Sequence, residues 1–286
     1  MKKVLVTQRS ETPHWVGDGF PVRSIFTYND LAKEMSPFLL MDYAGPAEFP
    51  PSAHRKGVGE HPHRGFETVT IVYSGEVEHR DSAGGGGVIS RGDVQWMTAA
   101  SGVVHEEMHG ENFSKTGGLF EMIQLWVNLP RKDKMTTPRY QGITAKQIPA
   151  VDIDGGSLRV IAGNFREQQG PAQTFSPINL WDIKVSEGSK NTFTVPQGHT
   201  ASIFVLSGKI RIGDKEVEDA TLALLETEGD RFSFEALQDS KILFLGGEPL
   251  NEPVIGYGPF VMSTQKEIYQ AFMDYQDGKM GQLVKA

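Results

Sequence analysis

The chain has 286 residues, of which 38% are hydrophobic and 22% charged, a composition typical of a globular protein with one large or two ordinary domains. Its formal net charge of −8 argues against direct contact with nucleic acid, because phosphate-binding surfaces need clustered Lys and Arg. The sequence contains no cysteine, which excludes disulfides, thiolate catalysis and Cys-ligated zinc.

The N-terminal residues 1–9 begin with basic side chains but contain too short an apolar run for a secretory signal. No apolar run approaches the ~18 residues that a membrane-spanning helix needs. We therefore expect a soluble cytoplasmic protein without membrane contact.

Short strands separated by turns are predicted through the first half of the chain. Residues 68–73 are β-branched and aromatic, end at Ser74-Gly75 and resume at residues 76–79, a pattern typical of a β-hairpin. The glycines at 84–87 predict a flexible loop, and residues 119–129 alternate between two faces of a strand. Many strands at such short spacing favour a sandwich or a barrel.

The second half of the chain repeats this pattern. Residues 200–211 match residues 67–78 at an offset of 133, which aligns Ser207-Gly208 with Ser74-Gly75. Gly229 matches Gly102 at an offset of 127. A shorter second loop without the run of glycines would account for the difference between the offsets. Because the matches occur in the same order, they favour duplication of one barrel.

The last part of the chain predicts an α-helix. Thr264 and Glu267 have the spacing of a capping box, and Gly278 is well placed to end the helix. The apolar stripe at helical spacing consists of Ile268, Ala271, Phe272 and Tyr275. We expect this stripe to pack against a barrel.

Three of the eight histidines stand in an unusual pattern. His61 and His63 are two residues apart, so in extended backbone both imidazoles project from one face. Pro62 cannot donate to a strand ladder, so this segment is expected at the start of a strand, at a bulge or at an edge. His105 and Glu107 repeat the spacing. Two adjacent strands carrying such pairs would direct three imidazoles and one carboxylate at one ion.

Imidazole and carboxylate ligands suit Fe(II), Ni(II), Cu(II), Mn(II) or Zn(II). Four protein ligands on an octahedral ion would leave two positions open, which favours a catalytic site. The pattern alone leaves open that His61 and His63 are surface histidines. His109, two residues after Glu107, is the nearest competing ligand. The other histidines are interpreted as surface or hydrogen-bonded residues: His14, His54, His79 and His199.

The two offsets predict that the second barrel has no equivalent metal site. In the order of the four candidate ligands, the corresponding residues are Thr194, Pro196, Phe232 and Phe234. None of them is a histidine or a carboxylate. The two phenylalanines indicate an interior that is at least partly filled with apolar groups.

Several motifs resemble those of the pirin family, and the likeness spans nearly the whole chain. The motifs are His61–Val69, Gly92–Ala99, His105–Met108, Gln124–Leu129, Gly258–Met262 and Asp274–Lys279. The resemblance implies an all-β fold of two cupin (jelly-roll) β-barrels face to face, with a short C-terminal helix. Residues 1–148 would form the metal-binding barrel, and residues 149–286 would form the barrel without a metal site together with the helix.

The resemblance also implies the ligands. By matching motif positions, one divalent transition metal ion would be held by His61, His63, His105 and Glu107. Fe(II) is the expected ion, with Ni, Cu, Mn, Co or Zn as alternatives. General cupins take their carboxylate from the first motif, here Glu67, which we expect to support the ligands instead of binding the ion.

The family suggests rival functions. Bacterial pirin-like proteins are similar to quercetin 2,3-dioxygenases, which cleave flavonols with dioxygen and release carbon monoxide. A flavonol-like substrate and dioxygen would then be the partners of a monomer, and Glu107 would be either the catalytic base or a ligand only. Candidate pocket residues are Asp42, Phe66, Met97, Gln124 and Trp126.

Mammalian pirins suggest a second function, a metal-dependent redox-sensing regulatory protein that binds a protein partner. In a chain without cysteine, a metal would be the most obvious redox sensor. A third hypothesis is that the metal only stabilises the barrel.

Overall fold

The computed structural model describes residues 1–284, and strands dominate it. In the first half of the chain the strands are β1 (Val4–Arg9), β2 (His14–Val16), β3 (Phe20–Phe26), β4 (Phe38–Phe49), β5 (Gly57–His63), β6 (Phe66–Ser74), β7 (Glu76–Asp81), β8 (Gly86–Ser90), β9 (Val94–Thr98), β10 (Val103–His109), β11 (Gly118–Asn128) and β12 (Arg139–Ile143).

In the second half the strands are β13 (Ala150–Ile153), β14 (Gly156–Ala162), β15 (Asn164–Phe165), β16 (Gln168–Gln169), β17 (Ile178–Val185), β18 (Lys190–Thr194), β19 (Thr200–Ser207), β20 (Lys209–Ile212), β21 (Lys215–Glu218), β22 (Thr221–Leu225), β23 (Arg231–Ala236), β24 (Ser240–Gly247), β25 (Ile255–Tyr257) and β26 (Phe260–Met262). The α-helices are α1 (Glu111–Thr116) and α2 (Gln265–Gln276), and short 3-10 helices lie at Arg131–Asp133 and Ala145–Gln147. Neither described α-helix has the length and apolar content needed to cross a membrane.

The described chain divides into two compact units. The first unit consists of Thr12–Ala32, Phe38–Ala145 and the described residues from Asn251 onward. The second unit consists of Met1–Glu11, Lys33–Pro37 and Lys146–Leu250. The chain passes from the first unit to the second between Ala145 and Lys146, close to the predicted division between residues 148 and 149. Each unit also includes a terminal segment from the opposite half of the chain.

Hydrogen bonding and packing explain these terminal segments. β1 extends the sheet of the second unit by pairing with β22. In α2, Ile268 and Ala271 are buried against Val104, Phe260 and Met262 of the first unit. The helix therefore packs in the first unit, and its predicted assignment to the second barrel was wrong. The capping box is confirmed, since Thr264 Oγ1 accepts a hydrogen bond from the Glu267 amide at 3.2 Å.

Two antiparallel sheets form the body of the first unit, besides the short hairpin β25-β26. One has seven strands in the order β12-β9-β6-β11-β4-β3-β2, and the other has four in the order β5-β10-β7-β8. Apolar side chains from both sheets meet between them, among them Phe20 and Phe120 of the larger sheet and Val77 of the smaller. The unit is thus a β-sandwich of the jelly-roll type with an apolar layer between its sheets.

The turn at Ser74-Gly75 is a corner between the two sheets. β6 pairs with β9 and β11, whereas β7 pairs with β8 and β10, so the hairpin predicted there was wrong although both strands were placed correctly. Gly75 has φ +88°, and a side chain there would meet the ring of Phe120. The chain therefore needs glycine to change sheets at this point.

The second unit repeats the first strand for strand. Its larger sheet has the order β1-β22-β19-β24-β17-β14-β13, and its smaller sheet has the order β18-β23-β20-β21. Its second Ser-Gly pair, Ser207-Gly208, again lies where the chain passes from the larger to the smaller sheet. The predicted all-β fold with a duplicated barrel is confirmed.

Residues from Asn251 onward complete the first unit by satisfying buried polar groups. Arg64 Nη1 lies 2.8 Å from Asp274 Oδ2, and both side chains are largely buried. Lys134 Nζ donates to the carbonyl oxygens of Gly65 and Val261, at 2.7 and 3.0 Å. Burial lowers the pKa of Lys134 to about 7. Without this segment, Arg64 would lose its carboxylate partner and Lys134 one of its carbonyl partners.

Candidate metal centre

His61, His63 and His105 come together because β5 and β10 are neighbours. His61 lies opposite His105 in the antiparallel register, and β5 is the edge of its sheet, as Pro62 predicted. The ring centroids of His61 and His63 are 4.8 Å apart, and that of His105 is 4.2 and 4.9 Å from theirs. One ligand nitrogen from each ring lies within 4.8 Å of the other two.

Carbonyl oxygens fix the tautomers of the two β5 histidines. His61 Nδ1 is 2.8 Å from the carbonyl oxygen of Gly59, and His63 Nδ1 is 3.2 Å from that of Pro259. A carbonyl oxygen can only accept a hydrogen bond, so Nδ1 of each ring carries the proton. Each Nε2 therefore keeps its lone pair for a metal ion.

His105 shows that this cluster fits a metal ion. Its side chain is fully buried, and its Nε2 has no hydrogen-bond partner among the described residues. A buried polar atom without a partner is costly, and a bound ion would supply one. Burial, together with the neighbouring His61, holds the pKa of both His63 and His105 well below its usual range, so both rings are neutral at pH 7 as ligands must be.

Glu107 lies beside this cluster, where two amide groups bind its carboxylate. A register shift separates His105 from Glu107 on β10. Glu107 Oε1 accepts from Gln95 Nε2 at 2.6 Å, and Oε2 accepts from Gln124 Nε2 at 3.4 Å. Its oxygen lies within 4.8 Å of ligand nitrogens of His105 and His79, in a group separate from that of His61 and His63. Its role as fourth ligand stays a prediction.

A cavity of about 210 Å³ opens onto the cluster. His61, His63 and Glu107 line one part of it, and Phe20 and Met122 line an apolar part. Of the predicted pocket residues, Asp42, Gln124 and Trp126 line the cavity. Phe66 stacks behind Trp126 with centroids 4.3 Å apart, and Met97 packs with Ala99, Val103 and Tyr140.

Polar side chains form a row across the interior face of the larger sheet. Ser24, Asp42, Gln124, Thr70 and Gln95 occupy directly paired positions on five neighbouring strands. Thr70 Oγ1 donates to Gln124 Oε1 at 2.6 Å and accepts from Gln95 Nε2 at 3.1 Å. Burial raises the pKa of Asp42, although Ser24 donates a hydrogen bond to its carboxylate. Thr70 and Gln95 were not predicted from the sequence, because single polar residues in strands carry no distinctive spacing.

Two sequence-based candidates lie away from the cluster. His109 is buried among phenylalanines, and its Nε2 donates to the carbonyl oxygen of Gly19 at 2.8 Å. Glu67 is buried on the opposite face of β6 from Thr70, where it accepts a hydrogen bond from Thr98 at 2.7 Å. The expectation that Glu67 supports the ligands was therefore wrong.

His79 is a hydrogen-bonded residue, one of the two interpretations that the sequence allowed, and it also contacts a predicted ligand. Its side chain is fully buried and forms a hydrogen bond with Asp81. Its Nδ1 lies 3.2 Å from Nδ1 of His105. Among the remaining histidines, His14 and His54 are exposed. The missed signal was His79-x-Asp81, which has the same two-residue spacing as the predicted ligand pairs.

The second unit has aromatic rings where the first has its histidines. Phe193 lies opposite Phe232 on β18 and β23, as His61 lies opposite His105 on β5 and β10. The rings of Phe193, Phe232 and Phe234 stack within 5.1–5.7 Å in a core that also contains Trp181 and Phe244. The predicted apolar interior is confirmed, but the offset of 133 was wrong by one residue here, because Thr194 and Pro196 are exposed.

Comparison with known sequences places this architecture in a family. The Pirin profile matches residues 19–127, and the profile of the pirin C-terminal cupin domain matches residues 180–281. A Pseudomonas aeruginosa protein named "Putative quercetin 2,3-dioxygenase" is 57% identical over 281 residues, 98% of each chain. The human protein named pirin is 38% identical over 256 residues, 87% of this chain and 84% of that protein.

Solved structures agree with this placement. The crystal structure of quercetin 2,3-dioxygenase from Acinetobacter baumannii matches with a TM-score of 0.97 and 54% sequence identity. The match covers 99% of this chain and 100% of that chain. On these similarities over nearly the whole length, and on two jelly-roll units with one strand order, the chain belongs to the pirin family of bicupin proteins.

Proposed function

We propose that this protein is a metal-dependent dioxygenase of the pirin type, which cleaves flavonols such as quercetin with dioxygen and releases carbon monoxide. The observation that carries the proposal is the buried, unbonded Nε2 of His105 beside His61 and His63, at a cavity with an aromatic wall. Relatives that carry the name quercetin 2,3-dioxygenase, at 57% and 54% identity, support the choice of reaction.

The residues proposed to hold the ion are His61, His63, His105 and Glu107. When bound, the ion would act as a Lewis acid and a template that brings a chelating substrate next to dioxygen. Nitrogen and oxygen donors without thiolate suit several divalent ions. Fe(II) is the ion we propose, and Ni, Cu, Mn, Co and Zn are the alternatives that metal analysis of the purified protein would distinguish.

The cavity suits a flat aromatic substrate. Trp126 lines the wall and is supported by Phe66, while Phe20 and Met122 provide apolar contacts. The cavity volume of about 210 Å³ is below the roughly 300–1,000 Å³ usual for drug-sized ligands. We therefore expect the hydroxyl-ketone part of a flavonol to enter, with the remaining ring at the mouth.

Glu107 is proposed as the base that takes the proton of the flavonol hydroxyl. The amides of Gln95 and Gln124 hold its carboxylate at the cavity wall, where a hydroxyl at the cluster would lie within reach. In the balanced reaction, the two ring bonds of the hydroxyl-bearing carbon break, and both atoms of dioxygen enter the single organic product at the two neighbouring carbons. The hydroxyl-bearing carbon leaves with its own oxygen as carbon monoxide.

Oxygen uptake by Fe(II)-loaded protein with quercetin tests the proposal. We expect metal-dependent uptake with release of carbon monoxide, and loss of both in His105→Ala and Glu107→Ala. His14→Ala is a matched control because this histidine is exposed. Absence of uptake by wild-type protein with one iron demonstrably bound would reject the dioxygenase and leave the metal centre in place.

A regulatory function is the alternative, favoured by one observation. His61 is only partly buried, so the metal cluster reaches the surface at the edge strand β5, where a protein partner could sense the oxidation state of the ion. Binding to a protein partner that differs between oxidised and reduced iron, and that disappears on chelation, would support it. A redox response that persists after metal removal would reject it. In either case we propose a cytoplasmic monomer, which size-exclusion chromatography can check.

A further inference from the structure

β7 carries a second pair of buried polar side chains beside the metal cluster. In the antiparallel register, Asp81 lies opposite His105, and His79 lies opposite Glu107. His79 is fully buried and Asp81 nearly so. Buried polar side chains are nearly always hydrogen-bonded, so the partners of His79 and Asp81 show what the pair does.

The hydrogen bonds form one continuous chain. Asp81 Oδ2 is 3.1 Å from His79 Nε2, and His79 Nδ1 is 3.2 Å from His105 Nδ1. At the other end, Asp81 Oδ1 accepts from the backbone amides of Ala83 and Gly85, at 2.9 and 2.8 Å. The far end of the chain is Nε2 of His105, which has no hydrogen-bond partner among the described residues.

Each hydrogen bond fixes the direction of the next. Asp81 receives two amide hydrogens on one oxygen, which holds it in the ionised, accepting form, so His79 Nε2 must donate to it. With its one proton on Nε2, His79 accepts at Nδ1. His105 Nδ1 must then donate, and the lone pair of His105 is left on Nε2.

We propose that His79 and Asp81 are positioning residues that hold His105 in the Nδ1-protonated tautomer and thereby present its Nε2 to the metal ion. Carbonyl oxygens perform this task for His61 and His63. Within residues 1–284 no carbonyl oxygen bonds to His105, and the side-chain relay takes their place. The inference rests on the metal centre of the proposed function and is independent of flavonol cleavage.

The surroundings keep the relay rigid. Tyr140 stacks on the ring of His79, with centroids 5.0 Å apart and planes 16° from parallel. Gly85 allows the loop to approach, because a side chain there would collide with the Asp81 carboxylate and with Tyr140. The glycines at 84–87 therefore include a residue required for close packing, and Gly86 and Gly87 belong to β8.

A competing arrangement would make His79 itself a ligand. His79, His105 and Glu107 do offer ligand atoms within 4.8 Å of one another. Both nitrogens of His79 are already engaged, however, Nε2 by Asp81 and Nδ1 by His105. The relay and the ligand hypothesis predict different numbers of bound ions.

The first test is the tautomer of His105 in the metal-free wild-type protein, read from its imidazole ¹⁵N chemical shifts. The relay requires protonated Nδ1 and unprotonated Nε2, and a proton on Nε2 would overturn it. The second test is titration with Ni(II) against a competing chelator. We expect Asp81→Asn and His79→Leu to weaken nickel binding by roughly 10–100-fold.

Matched variants separate positioning from packing. His79→Asn keeps an oxygen that can accept from His105 Nδ1, and we expect nickel affinity close to wild type. Asp93→Asn is the control, because Asp93 also accepts backbone amides, from Ser90 and Ala145, but does not contact a histidine. Equal losses in His79→Asn and His79→Leu would reject the relay.

The number of nickel ions bound per chain distinguishes the relay from the ligand hypothesis. One nickel per chain in the wild type agrees with the relay, while two per chain that fall to one in His79→Leu would overturn it. If the wild type bound no nickel, the metal centre of the proposed function would fail, and the ¹⁵N measurement on the metal-free protein would still decide the tautomer.

Discussion

The two units share one strand order but differ in the side chains that their strands direct inward. On β18 and β23, Phe193 and Phe232 face each other in an apolar core. On β5 and β10, His61 and His105 occupy the equivalent pair, and Nε2 of His105 has no hydrogen-bond partner in the part of the chain that the structure describes. The fold therefore does not require histidines at this place. Their presence in the first unit indicates selection for binding, because burying polar groups costs stability.

Replacing a core ring should have the largest effect. Phe232→Ala is expected to lower the free energy of unfolding of the second unit by about 3–5 kcal/mol, because it leaves a cavity in an apolar core. His105→Ala in the metal-free protein should cost clearly less, since it also removes an unsatisfied buried nitrogen. Urea denaturation measures both, and equal losses would contradict the contrast between the two interiors.

Glu67 gives the stability of the first unit a pH dependence. Burial raises the pKa of Glu67 to about 7 from 4.5, so the folded state holds this proton more tightly than the unfolded state. The resulting stabilisation is complete below pH 4.5 and is lost as the pH rises through 7. It amounts to about 3 kcal/mol, at 1.36 kcal/mol per pKa unit.

Glu67→Gln tests this dependence. The free energy of unfolding of the variant, taken relative to that of the wild type, should rise by about 3 kcal/mol when the pH is raised from 4.5 to 8, because glutamine does not ionise. Urea denaturation at the two pH values measures this difference. Thr200 occupies the matching position of the second unit at the offset of 133, and Thr200→Val should shift stability equally at both pH values. A flat difference for Glu67→Gln would show that the carboxyl stays ionised in the folded protein.

Metal addition should stabilise only the first unit. At a free metal concentration of 100 times Kd, the expected gain is about 2.7 kcal/mol. Hydrogen exchange should slow in β5 and β10 and stay unchanged in β18 and β23. Equal protection of both pairs of strands would mean that the second unit also binds metal, and no protection would reject the metal centre.

The smallest effect on stability and metal affinity is expected for a substitution on the outer face of β7, next to His79 and Asp81. Arg80 binds Glu106 in a partly exposed ion pair, and these residues lie between the buried ones on β7 and β10. Arg80→Ala should leave both stability and nickel affinity nearly unchanged, because solvent screens a partly exposed ion pair. A large loss of affinity would show that outward-facing residues also set the geometry of the site.

Much of this organisation could be predicted from the sequence because it depends on local patterns. The two-residue spacing of His61 and His63, and the same spacing of His105 and Glu107, predicted adjacent strands with side chains on one face, and the histidines do meet. The repeated Ser-Gly pairs predicted the duplication, which the matching strand orders confirm.

The rest depended on pairing between distant segments. Nothing local at Ser74-Gly75 distinguishes a hairpin from a corner between sheets, since both need a glycine turn. β1 pairs with β22, and α2 packs in the first unit, because of contacts far apart in sequence. His79 has no second histidine two residues away, but Asp81 stands at that spacing, and a carboxylate there can orient a ligand.

Residues from Asn251 onward, which are synthesised last, provide partners for side chains of the first half of the chain. The carbonyl of Pro259 fixes the tautomer of His63, Asp274 neutralises Arg64, and the carbonyl of Val261 binds Lys134. A nascent chain that has emerged only through the first half already contains all four candidate ligands but none of these partners. If the proposed metal centre is correct, its full geometry would form only late in translation, because a chain truncated after the first half lacks the carbonyl oxygen that orients His63.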